Sequence, residues 1–494
     1  MSILTQLDFP QQSYTSITSD SRKVQMGSIF LAYPGTQSDG RKYIPQAIEA
    51  GATAVVWESK TDGADFSWNS DWQVKNVACD DLKHQAGEIA AEFYEFPSRK
   101  VTMIGVTGTN GKTSVSQWIA QCLTELGKTT AVIGTIGNGL FKHQTVAANT
   151  TPDAIMLQAM LAEFVANNAE VVVMEVSSHG LDQGRVNAVE FDYAVFTNLS
   201  RDHLDYHHSM QAYAEAKQKL FEEHSLQASI INIDDAFGRV VAENLMAQGR
   251  RCVTYGFEKA DLRATNLVLH KDGLQMKVTA DGNDYLLSAA VLGRFNAYNL
   301  LAVLATLLEL KVNVRDAIAA MASIKSVQGR MQQIGGGDLP LVVIDYAHTP
   351  DALDKVLSTL REHTSAKLIC VFGCGGNRDK GKRPLMGSVV SHLADVVLIT
   401  NDNPRNEDPV AIIREITADM QVEYQVEMDR AMAIEKAIDA AVPGDIVLIA
   451  GKGHENYQEI AGVNYPFDDM EVARTALSKY QVSKYQVSNM GMSA

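Results

Sequence analysis

The chain reads as an α/β protein built on parallel sheets, and three observations lead there. β-Branched runs alternate with helical stretches along most of the sequence, and one of them feeds a Gly-rich turn that closes on Lys112 and Thr113. Successive runs also end in unusually polar segments, which is where open parallel sheets keep their ligands. Length and composition agree: 494 residues with 46% hydrophobic content suffice for two to four domains with cores of their own.

The first section extends to Pro97. Short apolar strands at 28–33 and 52–57 flank a helical stretch at 44–50, the pattern of a small α/β module. A Phe96-Pro97-Ser98 break opens the second section, with strands at 101–105, 170–175 and 191–196 spaced widely enough for crossover helices. Near Arg330 the pattern restarts: runs at 341–345, 367–372, 395–400 and 445–450 are each followed by a polar or Gly-rich turn and then a helix, which predicts a second, doubly wound sheet. The expected domains therefore cover 1–97, 98–329 and 330–494. The tail repeats KYQVS at 479–483 and 484–488 and reads as a frayed helix end followed by a disordered terminus.

Charge and cysteines narrow the class. A net charge of −16 provides no broad basic face for nucleic acid, although local clusters of Arg, Lys and His still serve small anions. Cys79, Cys122, Cys252, Cys370 and Cys374 are scattered and odd in number with no C-x-x-C pair, which argues against a disulfide framework or a zinc site. The N-terminus lacks a basic region followed by an apolar core, and no later apolar run approaches membrane-spanning length, so a cytoplasmic protein without membrane insertion is expected.

The run 103–114, MIGVTGTNGKTS, carries the strongest chemical signal. Gly108 and Gly111 free the backbone to aim N–H groups at a phosphate, with Thr109, Asn110 and Ser114 completing the loop. Lys112 supplies a point charge, and Thr113 offers a hydroxyl to Mg²⁺ at the start of a helix. A strict P-loop pattern would place glycine at 106, where this chain has Val106; the variant T-G-T-N-G-K-T marks a subfamily of ATP or GTP binders.

The other strand ends are as polar. After 170–175 comes VSSHGLDQGR, and after 191–196 comes TNLSRDHLDYH. The third section supplies DYAHTPD, GCGGNRD, DNPRNEDP and GKGHE. Any one alone is as well read as a solvated turn. Their recurrence after strand upon strand points to a ligand site.

Together TGTNGKT, MEVSSH, FTNLSRDHLDYH with the Ala216-Lys217 that follows, LGRFNAYN, GRM, DYAHTPD and DNPR resemble the Mur ligases, and the likeness spans all three sections in order. Within that family it is strongest to the diaminopimelate-adding branch. The resemblance implies a three-domain architecture with a P-loop-containing central parallel-sheet domain and a Rossmann-like C-terminal domain. It also implies a reaction in which ATP phosphorylates the terminal carboxylate of a UDP-linked peptidoglycan precursor and an incoming amine displaces phosphate from the acyl phosphate.

Residue roles follow from the same resemblance. Lys112, Glu175, His203 and Lys217 are the implied catalytic groups. Thr113, Glu175 and the ATP phosphates would hold one Mg²⁺, and His203 and Lys217 would serve a second, with Lys217 carbamylated by CO₂ to N6-carboxylysine. From the residues alone, Lys217 reads as a surface position of a helix. Asn299, Arg330 and Asp345 would bind adenosine where the second and third sections meet; a helix cap is the alternative for Asn299, and its pairing with Asn296 favours the binding role. Ser19, Ser21, Thr36, Gln37 and Ser38 would contact the uridine diphosphate. Asn149, Thr150, Thr151, Ser177, Gln183 and Arg185 would hold the sugar and peptide of UDP-N-acetylmuramoyl-L-alanyl-D-glutamate. Arg378, Asp402, Asn403, Pro404, Arg405, Gly451 and Glu455 would bind meso-2,6-diaminopimelate, because Arg405 can clamp the second carboxylate that lysine lacks. The expected partners are these two substrates and ATP, acting on a monomer. A folylpolyglutamate-type ligase would not carry DNPR, and a GTP switch would need an N-K-x-D motif that this chain does not have.

Overall fold

The computed structural model describes residues 2–35, 38–60, 66–147, 149–270 and 273–491, with the backbone alone at 205 and 483–491. Its contacts divide into two compact units, Met1–Tyr255 with Ala305–Val312, and Gly256–Leu304 with Asn313–Ala494.

The first unit contains two sheets. Strands β1 (Ser16–Thr18), β2 (Ser28–Ala32), β3 (Ala52–Glu58) and β4 (Lys75–Cys79) form a parallel four-stranded sheet in sequence order. Ile29, Leu31, Ala54 and Val56 point to one face, where Leu82, Ala86, Ile89 and Ala90 of the helix Leu82–Phe93 cover them. Phe30, Ala32 and Val55 point to the other, against Ile44 and Ala47 of the helix Ile44–Glu49. The period of two is that of a strand buried on both sides.

The second sheet is built from β5 (Thr102–Thr107), β6 (Thr130–Ile133), β7 (Asn138–Leu140), β8 (His143–Thr145), β9 (Val171–Glu175), β10 (Tyr193–Phe196), β11 (Ala228–Asn232) and β12 (Cys252–Gly256). Parallel pairs run in the order β12-β11-β10-β5-β9-β6, and β7 and β8 add antiparallel at the β6 edge. Thus β5, which feeds the phosphate loop, lies between β9 and β10, and the polar tails of all three strands emerge side by side.

In the second unit the strand–helix alternation is interrupted. β13 (Leu262–His270), β14 (Gly273–Ala280) and β15 (Asn283–Ala289) form an antiparallel meander that the parallel pattern did not anticipate. Beyond it β16 (Gln332–Gly335), β17 (Leu341–Asp345), β18 (Leu368–Phe372), β19 (Val396–Ile399), β20 (Gln425–Val426) and β21 (Ile446–Ala450) make a sheet of order β16-β17-β21-β18-β19-β20, parallel except at β16. Val343, Cys370, Ile399 and Leu448 face helices Pro350–His363, Lys382–Leu393 and Pro409–Ile416. Ile344, Val371, Leu398 and Ile449 face helices Arg430–Ala440 and Asp469–Gly491. Helices on both faces make it doubly wound, as expected.

The tail departs from its sequence reading. The last helix runs through both KYQVS copies to Gly491, because Ala473, Ala476, Leu477 and Tyr480 seat it on the sheet and no Gly or Pro interrupts it before Gly491.

Candidate active site

The phosphate loop is held by the strand on its flank. Gly108 has φ +147°, and a Cβ there would stand 1.9 Å from Thr197 Oγ1, so only glycine fits. Asn198 accepts from Thr109 N through its carbonyl at 2.7 Å and from Asn110 N through Oδ1 at 3.0 Å, and Thr197 Oγ1 donates to Asn110 O at 2.6 Å. Gly111, Lys112, Thr113 and Ser114 then start the helix Lys112–Glu125.

Glu175, at the end of β9, is fully buried and forms the polar centre beside this loop. Thr113 donates Oγ1–H to Glu175 Oε2 at 2.8 Å; Thr135, just past β6, donates its amide to Oε1 at 2.8 Å and its hydroxyl to Oε2 at 3.2 Å. A hydroxyl and a carboxylate converging in this way are hard oxygen donors of the kind Mg²⁺ takes, so the residues fit the ion. No group of three or more His, Cys, Asp and Glu side chains arranged for a metal occurs among the described residues.

Lys217 is not at the surface. Its helix, Met210–Glu222, turns it inward, 1% exposed, with Nζ donating to Gly108 O at 2.8 Å and lying 4.5 Å from the centre of the Tyr213 ring. Lys112 Nζ donates to the same carbonyl at 2.9 Å and to Thr109 O at 2.9 Å. Burial, reinforced by the nearby Lys112 charge, pushes the Lys217 pKa well below its ordinary value and favours the neutral amine. The His203 ring lies 6.1 Å from that of Tyr213, centre to centre, and 4.9 Å from that of His179.

The residues expected to hold the sugar-peptide form one network with Glu175. Thr151 donates to Glu175 O at 2.9 Å and accepts from Ser177 N at 3.0 Å, and Thr150 meets Thr135 hydroxyl to hydroxyl at 3.0 Å. Arg185 donates to Thr151 O at 2.7 Å and clasps Gln183 Oε1 at 2.6 and 3.0 Å, while Gln183 reaches Tyr206 OH at 3.1 Å. Asn149 lies beside Thr150 in a bend. In the first sheet Ser19 bonds Tyr33, and Ser21 donates to Gln46 Oε1 at 3.2 Å. Ser38 accepts through its carbonyl from Gly35 N at 2.8 Å; Thr36 and Gln37 lie outside the described residues.

In the second unit Asp345 ends β17, buried, with its two oxygens accepting from Met331 N and Ala347 N at 2.8 Å each. Burial raises its pKa against the opposing pull of the Arg330 charge and these amides. Arg330 lies 4.8 Å over the Tyr346 ring. Asn299 donates to Asn296 Oδ1 at 2.9 Å, and Asn296 donates to Leu292 O at 2.8 Å, so this pair ties down the start of the helix Arg294–Glu309.

A cluster of mixed charge forms where β18, β19 and β21 end. Asn403 donates to Glu455 Oε2 at 2.9 Å, and the fully buried Lys452 donates to Asn403 Oδ1 at 3.0 Å and to Glu455 Oε2 at 2.9 Å. Asp402 Oδ1 accepts from Asn403 N at 2.8 Å, whereas its Oδ2 is buried with no hydrogen-bond partner among the described residues. A Cβ on Gly451, at φ +118°, would stand 2.6 Å from that oxygen. Arg405 donates Nε–H to Glu459 Oε2 at 2.9 Å and a terminal N–H to Gly376 O at 3.0 Å. Pro404 is buried beside it, and Arg378 is exposed on the rim. Beneath the pocket, fully buried Arg430 pairs with Asp469 at 2.7 and 2.8 Å and donates to Ala450 O at 3.0 Å and Asn401 O at 3.4 Å, the ends of two of the strands.

Thr135, Asn198, Tyr213, Arg430, Lys452 and Glu459 escaped the sequence reading. Lys452 stood inside the quoted GKGHE, and its place directly after an apolar run was the available signal.

The fold and this arrangement are those of an ATP-dependent acid–amine ligase class, and profile comparison agrees. The Mur ligase middle domain matches residues 106–307, the Mur ligase glutamate ligase domain 329–453, and the Mur ligase family catalytic domain 13–94. The chain belongs to the Mur ligase family. It is 52% identical to a UDP-N-acetylmuramoyl-L-alanyl-D-glutamate--2,6-diaminopimelate ligase of Chromobacterium violaceum, covering 97% of this chain and 96% of that one. The enzyme of the same name from Nitrosomonas europaea is 46% identical over 96% and 94%. A solved structure bearing that name superposes with a TM-score of 0.71 at 37% identity, covering 96% of each chain. A Mycobacterium tuberculosis folylpolyglutamate synthase shares the fold, with a TM-score of 0.61 at 17% identity, over 75% of this chain and 92% of that one.

Proposed function

We propose that this chain is an ATP-dependent ligase that joins meso-2,6-diaminopimelate to the D-glutamate carboxylate of UDP-N-acetylmuramoyl-L-alanyl-D-glutamate, the MurE step of cytoplasmic peptidoglycan-precursor synthesis. It works as a monomer in three functional domains, 1–97, 98–329 and 330–494. No helix among the described residues is long and apolar enough to cross a membrane.

The D-glutamate carboxylate attacks the γ-phosphorus of ATP, ADP leaves, and the acyl phosphate is then attacked by the diaminopimelate amine with loss of phosphate. The protein's task is positioning and charge neutralisation. The loop amides of 108–114 and Lys112 cradle the phosphates; Arg185, Thr151 and Ser177 orient the precursor's peptide. Thr113 and Glu175 would hold one Mg²⁺, and His203 with Lys217 would serve a second; bound there, the ions neutralise charge on the phosphate oxygens. Burial favours the uncharged form of the Lys217 amine, the form that carbamylation needs: its lone pair bonds to the carbon of CO₂, the nitrogen gives up a proton, and an anionic oxygen ligand results. Asn299, Arg330 and Asp345 serve adenosine, and Ser19, Ser21 and 36–38 the uridine diphosphate.

The observation that carries the reading is the charged cluster at the ends of β18, β19 and β21. Asp402 Oδ2 is a buried acceptor lacking a partner, and such a group awaits a donor such as the distal ammonium. Arg405, a few residues away on the same loop, offers a planar fork to the distal carboxylate. Phosphate release measured with ATP, the UDP-dipeptide and either diaminopimelate or lysine tests it. Release is expected only with all three substrates and with diaminopimelate far ahead of lysine; release from ATP alone, or equal use of lysine, would refute it.

A further inference from the structure

Arg405 does not stand alone in its pocket. The hairpin of β22 (Tyr457–Ile460) and β23 (Val463–Pro466) lies along the DNPR loop and grips it at residue after residue. Gln458 Nε2 donates to Asp402 O at 2.8 Å, and Glu459 N donates to Asn403 Oδ1 at 3.0 Å. Arg405 N donates to Glu459 O at 3.0 Å, and Ala461 N donates to Arg405 O at 2.8 Å. The Glu459 carboxylate, on a side chain 28% exposed, then takes the Arg405 Nε–H, while Arg405 itself is 16% exposed and held at φ +51°. Among the described residues no hydrogen bond or ion pair engages the second terminal nitrogen of Arg405.

We infer that Glu459 is a positioning residue for substrate selection: it fixes the guanidinium of Arg405 by its Nε edge so that the terminal edge meets the distal carboxylate of the amino acid. This rests on the diaminopimelate reading of the pocket. Two effects of Glu459 oppose each other. Its charge dilutes the attraction of Arg405 for a substrate carboxylate, and its hydrogen bond removes the rotamer freedom that a long side chain otherwise loses on binding. The second dominates here, because backbone and side chain of the hairpin act on the same residue while Glu459 remains partly solvated and its charge screened.

Steady-state kinetics with diaminopimelate and lysine on wild type, Glu459→Ala, Glu459→Gln and Arg405→Ala decide the matter, with thermal melts alongside. A hydrogen bond to a charged group corresponds to roughly a ten- to hundredfold effect, so Glu459→Ala should raise KM for diaminopimelate by about that factor. Its kcat and its KM for ATP should stay near wild type, and its preference over lysine should fall. Glu459→Gln, which keeps an acceptor oxygen, should recover most of the loss. An unchanged or lower KM in Glu459→Ala, or a loss shared equally by kcat and KM for ATP, would overturn the inference. If Arg405→Ala loses its selectivity while Glu459→Ala keeps it, only the role of Glu459 fails; if Arg405→Ala keeps its selectivity too, the diaminopimelate reading fails with it.

Discussion

At Lys217, burial and reactivity point the same way. An ammonium in a nearly dry site, sharing the Gly108 carbonyl with a second lysine, is costly, and the cost disappears when the nitrogen is neutral or converted to an anion. Lys217→Ala is therefore expected to fold at least as stably as wild type yet to lose about a hundredfold or more in ligation, the scale set by deleting one preorganised electrostatic group. A short-chain carboxylate in the buffer should restore part of the activity. Thermal melting and phosphate release read the two effects separately, and wild-type turnover by the alanine variant would remove Lys217 from the mechanism.

Among the elements, the loop that follows β18 is braced from below. Arg383, fully buried, donates to Glu407 at 3.0 and 3.1 Å, to Glu415 at 2.6 Å and to Gly375 O at 3.1 Å. The Arg383 hydrogen bonds, first among several causes, lower the Glu407 pKa from 4.5 to about 2. Between those two values the unfolded chain binds a proton that the folded one does not. This contribution is thus complete above pH 4.5 and vanishes as pH falls towards 2. Melting temperature followed from pH 5 down to about 2 should fall less steeply in Glu407→Gln than in wild type; parallel curves would show that the brace carries no linkage. How legible such elements are in the sequence depends on burial. β18 and β21 are buried along their whole length and stand out as unbroken apolar runs. β7, β8 and β23 have no fully buried residue, and nothing apolar announces them. The site follows the same rule: Asp402, Arg405, Glu175 and Lys112 were visible because polar residues follow apolar runs directly. Glu459 was hidden because its hairpin has no apolar pattern, and the burial of Lys217 depends on which face of a helix packs inward, a matter of tertiary contact.

Over the whole molecule, acidity is general and basicity local. The net charge of −16 coexists with Lys112, Arg185, Arg330, Arg378, Arg405 and Lys452 near strand ends and loops, so positive charge is gathered in small local groups. The strand ends at Asn401 and Ala450 are in turn linked by Arg430 to Asp469, the first residue of the final helix. Ending the chain after Tyr480, whose hydroxyl reaches Ala441 O at 3.1 Å, should leave the melting temperature unchanged. Ending it before Asp469 strands a buried guanidinium, at about 3–5 kcal/mol, and uncovers part of one face of the sheet, so the product should fail to fold in the same melt. For anyone fusing a reporter or an affinity handle to this enzyme, the stretch after Tyr480 is the place to attach it, whereas 469–480 is flooring that the sheet above stands on.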